Sequence, residues 1–163
     1  MDFVKSHEYI ANHRSETIQN LCRFALTDVL LFWSETEDVW AMQKKCWQPV
    51  LNDLNNVFKL NFATTANFNV PQNEEPICKL ADILNSLSDK ELTGCFLAAS
   101  ETKSVLLGLM LAKQKITPSE AFSAAFLEEL YQNKFWGKDP AALNLQEKTK
   151  QHLYEIAEYI KTK

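Results

Sequence analysis

The sequence predicts a mainly α-helical single domain, and three observations carry that expectation. Only three glycines and five prolines stand among 163 residues, too few for the turns of a β-rich protein. Apolar residues recur at three- and four-residue steps along most of the chain. Two capping boxes and a Thr-Pro cap mark helix starts between the periodic stretches. At this length one hydrophobic core suffices. About six helices are expected around a central antiparallel hairpin, with room for one short strand pair near residues 58–70.

The first helix should run from residue 12 or 15 to 33, because Ile18, Leu21, Cys22, Ala25, Val29 and Phe32 share one face. Ser34 with Glu37 reads as a capping box for a second helix, whose stripe is Val39, Gln43, Cys46 and Trp47. Pro49 should end that helix near Trp47, since an interior proline loses a hydrogen bond and clashes with the preceding turn. A new helix then starts at Pro49 and carries Val50, Leu54, Val57 and Phe58. Phe58, Leu60 and Phe62 alternate with Lys59 and Asn61 at the period of a strand, with Phe68 and Val70 as its pairing partner. A modest helix over residues 74–87 turns Ile77, Leu80, Ala81 and Leu84 inward.

Ser88 with Glu91 opens a long helix reaching about residue 113, the centre of the expected fold. Ser100, Ser104, Gly108 and Ala112 fall four apart on one stripe of it, which lets another backbone approach closely. Thr117-Pro118-Ser119-Glu120 supplies a cap, a proline at the first helical position and an acid at the third, so the next helix starts there. The link between these two helices is short enough to make them an antiparallel hairpin. Gly137 stops the second, and after residues 138–144 a last helix turns Leu153, Ile156, Ala157 and Ile160 inward.

A net charge of −4 argues against a nucleic-acid binder, which needs a basic face to displace counterions. The longest apolar run, Val105–Ala112, is far shorter than the roughly 18 residues of a membrane span. The start Met1-Asp2-Phe3-Val4-Lys5 is neither a signal nor an Arg-rich transit peptide. We therefore expect a soluble bacterial cytoplasmic protein, or a mitochondrial matrix protein if the chain is a processed eukaryotic fragment. Cys22, Cys46, Cys78 and Cys95 stand far apart with no Cys-x-x-Cys pair, which favours free thiols in a reducing compartment. His7, His13 and His152 make no ligand spacing with them, so neither a metal nor another cofactor is expected.

The segment from Leu127 through Glu128, Glu129, Leu130, Tyr131, Gln132 and Trp136 to Gly137 is the most informative. It sets two adjacent carboxylates in a helix that is apolar nearly all round. At 100° per residue Glu129 falls between Phe126 and Asn133, near Ala125 and Trp136, and Glu128 falls beside Ala121, Ala124, Gln132 and Phe135. Burying either unpaired is costly, so a partner should come from this fold or from another protein. Neighbours on a helix diverge by 100° and do not face one substrate together, which argues against a catalytic pair. Asp28, at the border of the first helix's apolar face, suits a buried hydrogen bond to a neighbouring helix end or a partner contact.

The chain resembles the family of ATP-synthase assembly chaperones that bind the α subunit of the catalytic head, found in mitochondria and alphaproteobacteria. The residues that carry the resemblance come in order: Thr27-Asp28, Gln43 with Trp47-Gln48-Pro49, Glu91-Leu92-Thr93-Gly94, the small-residue stretch from Ala99 to Ala112, then Leu127-Glu128-Glu129, Tyr131-Gln132 and Trp136-Gly137. Phe32-Trp33 and Gln48 depart from the family's pattern. The family's N-terminal β-rich domain finds no counterpart in residues 1–12, so residues 1–163 are expected to be its helical chaperone domain alone. The resemblance implies a binding protein rather than an enzyme, without nucleotide or metal, whose client is the unassembled α subunit of the ATP synthase. It assigns partner binding to Glu128, Glu129, Gln132, Trp136 and Asp28, and structural roles to Thr27, Trp47, Pro49, Gly108 and Gly137. Two other readings are a helical adaptor with a different client and a small enzyme using Asp28 and Glu129.

Overall fold

The computed structural model describes residues 1–62, 64, 74–137 and 139–162, and for 134–136 only the course of the backbone. The mainly α fold expected from the sequence is the one observed. Among the described residues nine helices form: α1 (Phe3–Asn12), α2 (Arg14–Ala25), α3 (Glu37–Phe58), α4 (Glu74–Ser86), α5 (Asp89–Thr102), α6 (Val105–Ala112), α7 (Pro118–Ala125), α8 (Leu127–Trp136) and α9 (Pro140–Lys161), with a 3-10 turn at Val29–Leu31. None of the described helices is long and apolar enough to cross a membrane.

At the centre lies an antiparallel hairpin, but it is α5 with α6 rather than one long helix with its successor. The long helix expected over residues 89–113 breaks where Lys103 enters the left-handed region and Ser104 caps a new helix start, its Oγ accepting from Leu107 N. Every residue of α6 is buried, so the break turns an all-apolar segment back into the middle of the molecule. Gly108 makes the close pairing possible: a Cβ there would stand 2.6 Å from the carbonyl oxygen of Cys95 and 3.1 Å from Ala99 N. Gly108 thus serves the approach of α6 to α5, whereas the expected four-residue stripe is divided by the break, with Ser100 left exposed on α5. Helices α1, α2, α7 and α9 surround the hairpin. Each fully buried leucine in this core contributes about 1.5–3 kcal/mol of hydrophobic stabilisation before entropy is counted.

Other expectations need correction. Residues 3–12 form a helix not foreseen, capped by the Asp2 carboxylate on Lys5 N and held by buried Ile10 and a Phe3 ring stacked on Tyr159. Helix α2 ends at Ala25, eight residues before Trp33, because Asp28 leaves the helix to cap the 3-10 turn. The Ser34–Glu37 box does not form. Ser34 N donates instead to the Gln43 side chain, and Thr36 takes the cap position of α3 without a side-chain bond. Pro49 does not end a helix but sits inside the 22-residue α3. Buried Trp47 and Leu54 on either side anchor that helix to the core, and packing overrides the local penalty. Phe58 closes α3 ahead of left-handed Lys59 rather than opening a strand, and its expected partner, Phe68 with Val70, lies outside the described residues. The predicted cap at Thr117 forms as a full capping box, yet α7 stops at Ala125 and Phe126 separates it from α8.

Candidate functional site

The two adjacent glutamates stand in the first turn of α8, which begins anew after the break at Phe126. That break overturns the angular positions expected from one continuous helix: both residues are exposed rather than enclosed by apolar neighbours. Each is nonetheless held by an amide from a different helix. Gln43 of α3, with no exposed surface, donates from Nε2 to Glu128 Oε1 at 2.6 Å while its Oε1 accepts from Ser34 N at 2.7 Å. Gln146 of α9, also buried, donates from Nε2 to Glu129 Oε2 at 3.1 Å. An amide orients a carboxylate without neutralising it. Two carboxylates, aimed from below, therefore face outward, in the helix turn where the backbone dipole favours negative charge.

Beside them opens a cavity of about 430 Å³. Val29, Trp47, Ala125, Phe126, Leu145 and Thr149 form its walls along with the glutamates, and Ser100, Glu101 and Thr102 at the end of α5 with Lys103 just after it complete them. Glu101 bonds His152 Nδ1 at 2.8 Å. Leu145 keeps 62% of its surface in solvent, an exposed apolar group beside charged ones. The arrangement suits recognition of a surface that is both apolar and basic. Among the described residues no group of three or more His, Cys, Asp or Glu is placed to hold a metal.

The remaining residues singled out in the sequence fall in different places. Asp28 is fully buried, its carboxylate enclosed by donors of this chain. Its Oδ1 accepts from Leu30 N at 3.0 Å and Ser104 Oγ at 2.7 Å, and its Oδ2 from Leu106 N at 2.9 Å. Burial pushes its carboxyl up to about 6 against the opposing effect of these bonds. Thr27 is exposed and donates to the Phe24 carbonyl at the end of α2. Trp47 is buried and donates from Nε1 to Ala124 O at 2.8 Å. Gln132 is exposed on α8, the Trp136 side chain lies outside what is described, and Gly137 follows the helix at φ 81°. Pro49 and Gly108 lie inside α3 and α6.

Sequence reasoning missed Gln146. It lies seven residues before Leu153, on the inward stripe that continues through Ile156 and Ile160. A lone amide on that stripe was the available signal.

No family model matches the chain, and no curated protein matches it in sequence. Solved structures do match. Atp12 from Paracoccus denitrificans superposes with a TM-score of 0.88 at 19% identity, covering 95% of this chain and 67% of that one. An Asp-to-Lys mutant of P. denitrificans Atp12p gives 0.86 at 20%, covering 94% and 67%. The Atu1473 protein from Agrobacterium tumefaciens, a candidate chaperone, gives 0.83 at 27%, covering 93% and 57%. The sequence-based resemblance is thus met in the fold, and the chain spans about two thirds of the Atp12 chains and somewhat over half of the Atu1473 chain.

Proposed function

We propose, taking the fold shared with Atp12 as the premise, that this chain is an assembly chaperone of the ATP synthase that holds the unassembled α subunit. In this reading it covers the surface of α that later meets β and releases it into the hexamer. The observation that carries the proposal is the likeness of fold over 95% of the chain. The ordered motifs support it, because residues far apart in sequence meet around one face: Gln43 with Glu128, and Trp47 with Ala124. Glu128 and Glu129 supply fixed negative charge, and the neighbouring cavity with Leu145 supplies apolar surface. An orphan subunit exposes an interface that aggregates until covered, and a rigid helical platform of this kind shields it without consuming a nucleotide. Gln132 and Trp136 extend the same helix toward the client, and the working compartment is the bacterial cytoplasm.

The test is co-purification with separately expressed α and β subunits of the same organism's ATP synthase, with Glu129→Lys as the control. Capture of α but not β, lost in a folded Glu129→Lys protein, is the expected result. A folded chain that captures neither subunit, or both equally, overturns the reading.

A further inference from the structure

We propose that Cys22 and Cys78 form a thiol pair that closes into a disulfide between α2 and α4 by exchange with a low-molecular-weight disulfide. The register of the two helices places them level. Arg14, at the start of α2, donates to the carbonyl oxygens of Leu84 at 3.4 Å and Asn85 at 3.0 Å at the far end of α4 and of Leu87 at 2.7 Å just past it, so the packed helices run antiparallel. Cys22 lies eight residues on along α2, about 12 Å at 1.5 Å per residue, and Cys78 lies seven residues back from Asn85, about 10 Å. Near-equal steps from one fixed crossing bring the two side chains to the same height.

Electrostatics agrees with that placement. The Cys22 thiol is pushed up, first by burial and then by the charge of Cys78, an influence that acts between near neighbours. Access differs usefully among the four thiols. Cys78 is exposed and Cys22 half-buried, whereas Cys95 is sealed in the core and Cys46 stands half-buried on α3.

The chemistry balances without a metal or an enzyme. The Cys78 thiolate attacks one sulfur of the small disulfide and expels the other as a thiolate, leaving a mixed disulfide. Cys22, once its proton has passed to solvent, attacks the Cys78 sulfur and expels the second small thiolate. Two protein thiols are oxidised, and their two hydrogens end on two molecules of small thiol. The ring so closed runs from residue 22 to 78 and contains α3 with Gln43 and Trp47. A ring that long restricts the unfolded chain strongly, so oxidation should raise the melting temperature.

The experiment treats the reduced full chain with oxidised glutathione under native conditions and reads intact mass, linked peptides and melting temperature. Wild type and Cys46→Ser are expected to lose two hydrogens, to yield a Cys22–Cys78 linked peptide pair and to melt higher. Cys22→Ser is expected to retain one glutathione on Cys78, and Cys78→Ser to show no closure. A wild-type adduct that never closes, a dimer joined through Cys78, a link through Cys46 or the absence of any reaction would each overturn the proposal.

Discussion

Ser104 donates its hydroxyl hydrogen to Asp28 at 2.7 Å, and both side chains are wholly buried. This one bond joins the turn after α2 to the start of α6. The same serine caps α6 through Leu107 N, and the same aspartate reaches Leu106 N, so the N-terminus of the most buried helix is satisfied by two residues 76 apart in sequence. Sealing that end in apolar surroundings without these acceptors would leave its amides unpaired.

Asp28→Ala should therefore lower stability by about 2–4 kcal/mol in chemical denaturation, and Asp28→Asn by less, because the amide keeps one acceptor oxygen.

The pH dependence has a definite sign. Folding raises the Asp28 carboxyl from its ordinary 3.8 to about 6. The proton is bound more tightly in the folded state, so the associated stability is complete below the unfolded value and lost as pH rises through the folded one. Wild type should gain on Asp28→Asn by up to about 3 kcal/mol between about pH 7 and about pH 4. A difference that stays constant with pH would mean the carboxyl is not raised.

The two helical glycines predict opposite tolerance. At Gly108 a Cβ meets the backbone of α5, which has nowhere to go, whereas at Gly94 it meets Cδ1 and Cγ1 of the Ile160 side chain at 2.5 and 2.6 Å. Gly108→Ala should cost about 2–3 kcal/mol despite its gain in helix propensity, and Gly94→Ala about 1 kcal/mol or less once Ile160 changes rotamer. Thermal melts of the two variants decide it. Equal losses would place the close approach elsewhere than at α5 and α6.

Element type was legible in the sequence wherever apolar spacing and a cap agreed, as at Ser88 and Thr117, while most errors, apart from the unforeseen α1 and the strand expected at Phe58, concern where helices start and stop. Pro49 carries a strong local signal to stop that core packing overrides. The breaks at Lys103 and Phe126 carry almost none: neither a glycine nor a proline marks them, and what fixes them is a distant partner, Asp28 for the first and Trp47 for the second. The site shows the same division. Glu128 and Glu129 stood out because charge interrupted an apolar run, but their exposure depends on the break at Phe126. Gln43 and Gln146, which orient them, belong to α3 and α9, and local spacing does not disclose contacts across 85 and 17 residues of sequence.

Gln43 offers a direct measure of how firmly α8 is aimed. Both ends of its amide are bonded, so Gln43→Ala strands Ser34 N and frees Glu128 at a cost of about 1–2 kcal/mol. Glu128→Ala alone should cost little, because the carboxylate is exposed. A double-mutant cycle should give a coupling of about 0.5–1.5 kcal/mol. A coupling near zero would mean the 2.6 Å contact orients nothing.

Trp47 tests the break itself. In an unbroken helix the Ala124 carbonyl would accept from the amide four residues on, but the chain departs from helical geometry at Phe126 and the acceptor is met by the Trp47 indole N–H instead. Trp47→Phe keeps most of the ring's apolar contact while removing that donor, so it should cost about 1–3 kcal/mol. Amide exchange should then quicken in α7 and α8 while α5 and α6, anchored through Asp28 and Gly108, stay protected. Uniform exchange throughout would mean that the junction does not depend on this bond. A selective rise, with Glu128 and Glu129 among the loosened residues, would show that α3 holds the junction from which the charged turn is presented.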